Sequence, residues 1–324
     1  MKTFEEITEI VSREIEKLNW NREPRGLYDP IAYVLSLGGK RIRPALTLMA
    51  CNLYTDDVTA AISPALGLEV FHNFTLLHDD IMDKAPIRRG KPTVHIKWDD
   101  NTAILSGDVM QIAAYQLIAN SPATHLKEIL DLFSKTAVEI CEGQQYDVDF
   151  ENRDNVTADE YLEMIRLKTA VLIGCALKTG AIAGGANSSD ANALYDFGIN
   201  IGLAFQLKDD LLDVYGNEAS FGKKIGGDIL SNKKTYLLIH ALNLAKGSVA
   251  EQLTCWLSAS EFKSEEKIAA VTNIYNSLGV QKICEDKMLC FYEKAIASLE
   301  KVSIEVNKKH ELRKLAEKLM SRND

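Results

Sequence analysis

Apolar residues recur at three- and four-residue spacing along nearly the whole chain. At the N-terminus Ile7, Ile10, Val11, Ile15 and Leu18 form one stripe between charged positions, the pattern of an amphipathic helix. The same spacing predicts helices over 61–84, 101–119, 126–149, 158–184, 190–216, 233–245, 264–302 and 305–321. Pro44 suits the first turn of a helix entering ALTLMACNLY. Convincing alternation of β-branched residues is absent, so no strand is predicted. Glycine and proline gather at 24–30, 38–44, 86–92 and 216–227, which read as loops. No fixed-period repeat, low-complexity segment or linker interrupts the pattern. The expectation is a single all-α domain spanning residues 1–324, its long helices packed as a bundle.

Composition narrows the function classes. Of the 324 residues, 26% are charged and 46% hydrophobic, as in ordinary globular proteins. The net charge of −9 and the lack of a long basic run argue against nucleic acid as a partner. Six cysteines are scattered without a CxxC pair or a histidine cluster, which argues against zinc and suits a reducing, cytoplasmic setting. The opening MKTFEEITEIVSREIEKL is charged and amphipathic, unlike a signal peptide. No run of about 18 apolar residues exists, so no transmembrane segment is expected.

Two carboxylate clusters are out of keeping with their surroundings. Asp79, Asp80 and Asp83 lie in LLHDDIMD; Asp209, Asp210 and Asp213 lie in FQLKDDLLDVY. In each the first and last aspartates are four apart and share a helix face. Charge runs usually mark a solvated face, but here leucine, isoleucine, methionine and valine surround both sets. Buried carboxylates without partners are very costly and call for cations or metal ions. Hard oxygen donors with no cysteine or histidine beside them suit Mg²⁺, which commonly bridges carboxylates to substrate phosphates. Two such clusters far apart in sequence imply two helices meeting across a diphosphate.

Cations accompany the acids. GGKRIRP sets Lys40, Arg41 and Arg43 after two glycines and before a helix, which reads as a diphosphate clamp and equally as a basic surface turn. Arg88 and Arg89 follow the first cluster within a few residues.

Taken in order, GGKRIRP, HDDIMDKAPIRRGKPTVH, GQQYD (143–147), LKTA (167–170), QLKDDLLD (206–213) and GKKIGGDILSNKKT (222–235) resemble the motifs of the trans-isoprenyl diphosphate synthases (polyprenyl synthetases). This group contains the farnesyl and geranylgeranyl diphosphate synthases. The resemblance runs over roughly residues 30–240. It implies an isoprenoid synthase-type helical bundle around a central cavity, and a homodimer with the helix near 101–119 at its interface.

It also implies roles. Asp79, Asp83 and Asp147 resemble Mg²⁺ ligands on one side of an allylic diphosphate, and Asp209 the ligand on the other, with Asp80, Asp210 and Asp213 in support. Three Mg²⁺ ions per site are implied. Arg88, Lys168, Lys223 and Lys233 resemble the allylic-diphosphate cations. Lys40, Arg43, His72 and Arg89 resemble the site for isopentenyl diphosphate. Gln144 and Gln206 would touch diphosphate or metal-bound water, and Thr169 and Gln206 would stabilise a carbocation. Taken singly, His72 is also readable as a buried hydrogen-bonded histidine, Lys168 as a helix-surface lysine, and Gln144 with Asp147 as a local helix pair. The implied reaction joins isopentenyl diphosphate to dimethylallyl, geranyl or farnesyl diphosphate, to give a C15–C20 product.

By the family's pattern, residues four and five positions before the first aspartate, Thr75 and Phe74, are expected to floor the tunnel that holds the growing chain, itself lined by helices 61–84 and 101–119. Five helical residues rise about 7.5 Å, room for a short tail. Helical geometry alone puts Thr75 and Phe71 nearer the Asp79 stripe, so Phe74 rests on the resemblance. Two other functions fit the fold. A class I terpene cyclase usually has a different second acidic motif, and a non-catalytic synthase subunit would have lost aspartates that this chain keeps.

Overall fold

The computed structural model describes residues 1–216 and 225–321. The chain divides into two compact units. The first takes Met1–Thr136, Leu172–Tyr195 and Lys301–Leu312; the second takes Ala137–Val171, Asp196–Glu300 and Arg313–Asp324. The helices run α1 (Phe4–Glu16), α2 (Arg25–Ser36), α3 (Ile42–Asn52) and α4 (Thr59–Met82). A two-residue hairpin, β1 (Ile87–Arg88) with β2 (Lys91–Pro92), leads to α5 (Val94–Lys97), α6 (Asp100–Ile118) and α7 (Leu126–Glu151). Then come α8 (Ala158–Ile165), a π turn (Arg166–Ala170), α9 (Val171–Ala183) and α10 (Ser188–Tyr215). The rest comprises α11 (Gly227–Leu230), α12 (Tyr236–Leu244), α13 (Ser248–Ser258), α14 (Ser264–Leu278), α15 (Val280–Glu300), a 3₁₀ turn (Val306–Lys309) and α16 (His310–Ser321). The all-α class expected from the periodicity is what the chain adopts.

In the first unit α4 is the central helix, packed along α6 and against α3. Its buried positions include Leu66, Leu68, Val70, Phe71, Phe74 and Leu77. Apolar residues on every side are what enclose a helix. The Phe71 ring meets Phe74 at 5.3 Å and Phe133 at 5.1 Å, and Phe133 meets Tyr115 at 4.8 Å. The predicted N-terminal stripe buries Ile7 and Val11 on α1, which Thr3 and Glu6 cap reciprocally. The second unit has its own core, with Tyr161, Leu207, Leu237, Val271, Tyr275 and Phe291 among its members.

Several boundaries differ from expectation. Residues 24–30 contain the first half of α2 rather than a loop. A proline inside a helix costs roughly 3 kcal/mol. Burying Ile31, Val34 and Leu35 at about 1.5–3 kcal/mol each outweighs what Pro30 costs. The predicted 158–184 helix is interrupted by the π turn at Arg166–Ala170. The predicted 264–302 helix is two: Gly279, in the left-handed region at φ 67°, caps α14 and starts α15. Helix α13 lies where none was predicted, because Leu253 alone among its residues is fully buried and the apolar stripe is weak. The loop at 86–92 carries the small hairpin. Part of the 216–227 loop, and Lys223 with it, lies outside the described residues. Among the described residues no helix is long and apolar enough to cross a membrane.

Candidate active site

The last turn of α4 presents the first acidic cluster. Asp79 and Asp83 stand one turn apart, and the Asp83 backbone N–H donates to the Asp79 carbonyl at 2.9 Å. Asp80 points elsewhere and is buried. Arg88, on β1, donates Nε to both Asp80 oxygens at 2.8 Å and places Nη2 2.7 Å from Oδ1. The same Nη2 lies 3.8 Å from Asp79 Oδ2. Burial raises the pKa of the Asp80 carboxyl, with Arg88 acting against it. Asp80 therefore orients Arg88, while Asp79 and Asp83 keep a shared, partly solvated face.

Beside it in the same unit is a cationic cluster. Gly39 adopts φ 134°, which residues with a side chain rarely do, and a Cβ there would lie 2.8 Å from Arg89 Nη2, so the guanidinium would have to shift. Arg89 Nη1 donates to the Gly38 carbonyl. Arg43 Nη1 donates to His72 Nε2 at 3.1 Å. Because arginine has no acceptor, this contact makes Nε2 the acceptor and leaves the His72 proton on Nδ1. Burial first, then Arg43, Arg89, Arg88 and Arg41, hold His72 well below the usual histidine range, so the ring is neutral. Burial lowers the Arg43 guanidinium to about 10, which keeps it charged at neutral pH. Lys40 is exposed next to them. Arg41, at φ 47°, turns its Nη1 to the buried Glu69 and its Nη2 to the Leu35 carbonyl at 2.6 Å. This buried ion pair fixes the loop from which Lys40 and Arg43 extend.

The chain-length candidates sit one to two turns upstream. Phe74 is buried, with His78 at 4.8 Å on one side and Phe71 on the other. Thr75 is half-buried, and its hydroxyl donates to the His72 carbonyl at 2.9 Å.

The second unit holds the remaining site residues. A Cβ at Gly143 would fall 2.3 Å from the Lys168 backbone nitrogen, so glycine lets α7 lie directly on the π turn. One turn later Asp147 meets the Lys168 ammonium at 2.6 Å, with Lys233 Nζ at 3.8 Å from the same oxygen. Burial pushes the Asp147 carboxyl up, but Lys233 and Lys168 prevail and hold it below its ordinary value. Gln144 is half-buried one turn before Asp147. The π turn sets Lys168 and Thr169 side by side, as such bulges often do at functional sites. Thr169 Oγ1 donates to Gln206 Oε1 at 3.4 Å, and Gln206 Nε2 to Asp210 Oδ1 at 3.4 Å.

Asp209 and Asp213 share one face of α10, and Asp210 is buried behind them. Burial and the charge of Asp228 push the Asp210 carboxyl up to about 8, although the Tyr161 hydroxyl donates to it. Asp213 binds the following turn: its carbonyl accepts from Gly226 N–H at 2.6 Å and its Oδ2 from Asp228 N–H at 3.0 Å.

Among the described residues no three His, Cys, Asp or Glu side chains converge to hold a metal ion by themselves. The donor chemistry nevertheless fits Mg²⁺, which is usually held by one or two carboxylates completed by water and substrate phosphate. Tyr161, Asp228 and Glu69 were not singled out in the sequence, and Arg41, read there as part of a diphosphate clamp, instead pairs with buried Glu69. Arg41 and Asp228 stand inside quoted motifs, whereas nothing local distinguishes Tyr161 or Glu69.

Comparison with known proteins gives one family. A family model described as polyprenyl synthetase matches residues 24–275. A geranylgeranyl diphosphate synthase of Methanosarcina mazei is 43% identical over 234 residues, covering 71% of this chain and 72% of that one. A crystal structure of a geranylgeranyl pyrophosphate synthase superposes with a TM-score of 0.94 at 45% identity, covering 100% of both chains. The geranylgeranyl pyrophosphate synthase of Corynebacterium glutamicum, solved with isoprenyl diphosphate and magnesium, superposes with a TM-score of 0.89 at 27% identity. That match covers 99% of this chain and 100% of the other.

Proposed function

The chain belongs to the polyprenyl synthetase family and is a trans-prenyltransferase; we propose that it extends allylic diphosphates with isopentenyl diphosphate to a C15–C20 product, residues 1–324 acting as one catalytic domain. The observation that carries this reading is that acids and cations come in built pairs in both units, Asp80 with Arg88 and Asp147 with Lys168. The names of the geranylgeranyl diphosphate synthases reported above support the C20 end of the range.

The chemistry follows from the charges. Arg88, Lys168, Lys233 and Lys223 bind the allylic diphosphate and stabilise charge on it as its C–O bond breaks. Bound Mg²⁺, with Asp79, Asp83, Asp147 and Asp209 as ligands and three ions per site, would supply Lewis-acid neutralisation of the diphosphate oxygens. The magnesium and isoprenyl diphosphate of the Corynebacterium relative support that assignment. The Thr169 hydroxyl and Gln206 amide turn oxygen dipoles toward the allylic cation. Lys40, Arg43, Arg89 and neutral His72, which has a donor at Nδ1, hold isopentenyl diphosphate. Its double bond forms the new C–C bond, one proton leaves to the departed diphosphate, and inorganic diphosphate is released. No general-base side chain is required.

Separate cation sets predict separable kinetics. Lys40→Ala and Arg43→Ala should mainly raise KM for isopentenyl diphosphate, and Lys168→Ala should mainly raise KM for the allylic substrate, each by about 10-fold or more for a lost charged contact. Steady-state kinetics with each substrate varied in turn checks this; equal effects on both substrates from every variant would overturn the assignment.

A homodimer in the cytoplasm completes the proposal. Ile104, Leu105 and Ile112 on α6 are 43%, 57% and 59% exposed, which supports an interface near that helix. A monomeric mass for active protein at micromolar concentration would refute the dimer.

A further inference from the structure

Lys267 is fully buried, yet the partners it has are all uncharged. Its ammonium donates to Asn232 Oδ1 at 2.7 Å and to the Leu230 carbonyl at 3.4 Å, and lies 4.3 Å from the centre of the Phe262 ring. Burial lowers its pKa. For packing alone an apolar side chain would be cheaper at such a place, because a buried charge costs several kcal/mol unless its protons are satisfied. What the ammonium holds is a single turn. Asn232 stands in the left-handed region at φ 55°, and its own Nδ2 donates to the Leu257 carbonyl at 2.9 Å. The next residue is Lys233, whose N–H donates to the Asp228 carbonyl at 2.9 Å and whose ammonium reaches Asp147. The other end of that turn is fastened to Asp213 through Asp228 N–H. Lys267 thus fixes a turn that is tied to an acidic-cluster residue on one side and presents a diphosphate cation on the other.

We propose that Lys267 is a positioning residue for Lys233: through Asn232 it locks the 230–232 turn so that the Lys233 ammonium is held where it meets the allylic diphosphate. This rests on the proposed role of Lys233. The ammonium acts by geometry alone, since it lies against the turn and not against substrate-binding groups.

The test is a cycle of Lys267→Met, Lys233→Ala and the double variant, with KM measured for farnesyl diphosphate and for isopentenyl diphosphate. The expected result is that each single variant raises the allylic KM by about 10-fold, that the isopentenyl KM stays within about 2-fold, and that Lys267→Met adds nothing in the Lys233→Ala background. Lys267→Arg, which retains charge and donors, should recover most of the affinity. If Lys233→Ala raises the allylic KM and Lys267→Met does not, or if their effects multiply, the positioning role is overturned while the reading of Lys233 stands. If Lys233→Ala itself leaves the allylic KM unchanged, that reading fails and the inference with it. Should Lys267→Met not fold, Asn232→Gly keeps the left-handed backbone, removes the acceptor and carries the same test. An unchanged allylic KM in Asn232→Gly overturns the proposal.

Discussion

Asp79→Ala and Asp209→Ala are each expected to lower kcat by at least about 10²-fold, the scale of lost transition-state electrostatics. Each takes one carboxylate from a face where a partner aspartate stands four residues on. Neither should cost much stability. Asp79 keeps some contact with water, and Arg88 retains its bidentate bond to Asp80 when Asp79 is removed. Excess EDTA should abolish turnover and added Mg²⁺ restore it, because a diphosphate cannot bind beside an anionic cluster without cations between. Steady-state rates with and without chelator, beside unfolding midpoints of both variants, check this. Full activity in excess EDTA would sink the metal reading.

Phe74→Ala is expected to shift the main product longer by at least one five-carbon unit beyond the C15–C20 range. The ring is buried, touching His78 on one side and Phe71 on the other, so its loss opens space below the aspartate turn. Truncating a buried phenylalanine costs about 3–5 kcal/mol. With the proposed tunnel beside it, the loss is expected toward the lower end of that range. Thr75→Phe should act the other way and shorten the product toward C15 or C10. Product-length profiles of wild type and both variants, at one fixed substrate ratio, provide the measurement. If Phe74→Ala remains active with an unchanged profile, the floor lies elsewhere. Phe71, which packs on Phe133, would then be the first candidate.

The helices that carry the acids were legible because α4 and α10 are long, strongly apolar and interrupted by aspartates at one-turn spacing. The cationic loop was legible through two glycines preceding Lys40, and Gly39 proves to be the space Arg89 occupies. Other features depend on neighbours distant in the chain. The π turn at Lys168 adds no local signature, since it answers to close packing on Gly143. The Tyr161–Asp210 bond joins residues 49 apart. Lys267 reads as one more surface lysine at the start of a helix, and only the packed turn at Asn232 reveals that it is buried. Asp80 sits in a motif with Asp79 and Asp83, and the sequence does not reveal that it turns away to hold Arg88. The break at Gly279 was present as a glycine but was masked by apolar residues continuing on both sides.

The proposed reaction makes a new carbon–carbon bond between two diphosphates. Purified protein with Mg²⁺, labelled isopentenyl diphosphate and, in separate reactions, dimethylallyl, geranyl or farnesyl diphosphate tests it most directly, with products identified by mass. The expected result is label in a C15–C20 prenyl diphosphate, with C20 the main species and inorganic diphosphate released in step. Conversion of the allylic substrate to hydrocarbon without incorporation of label would point to a cyclase, and no turnover by the chain alone would point to a non-catalytic subunit. Either result would overturn the proposed reaction.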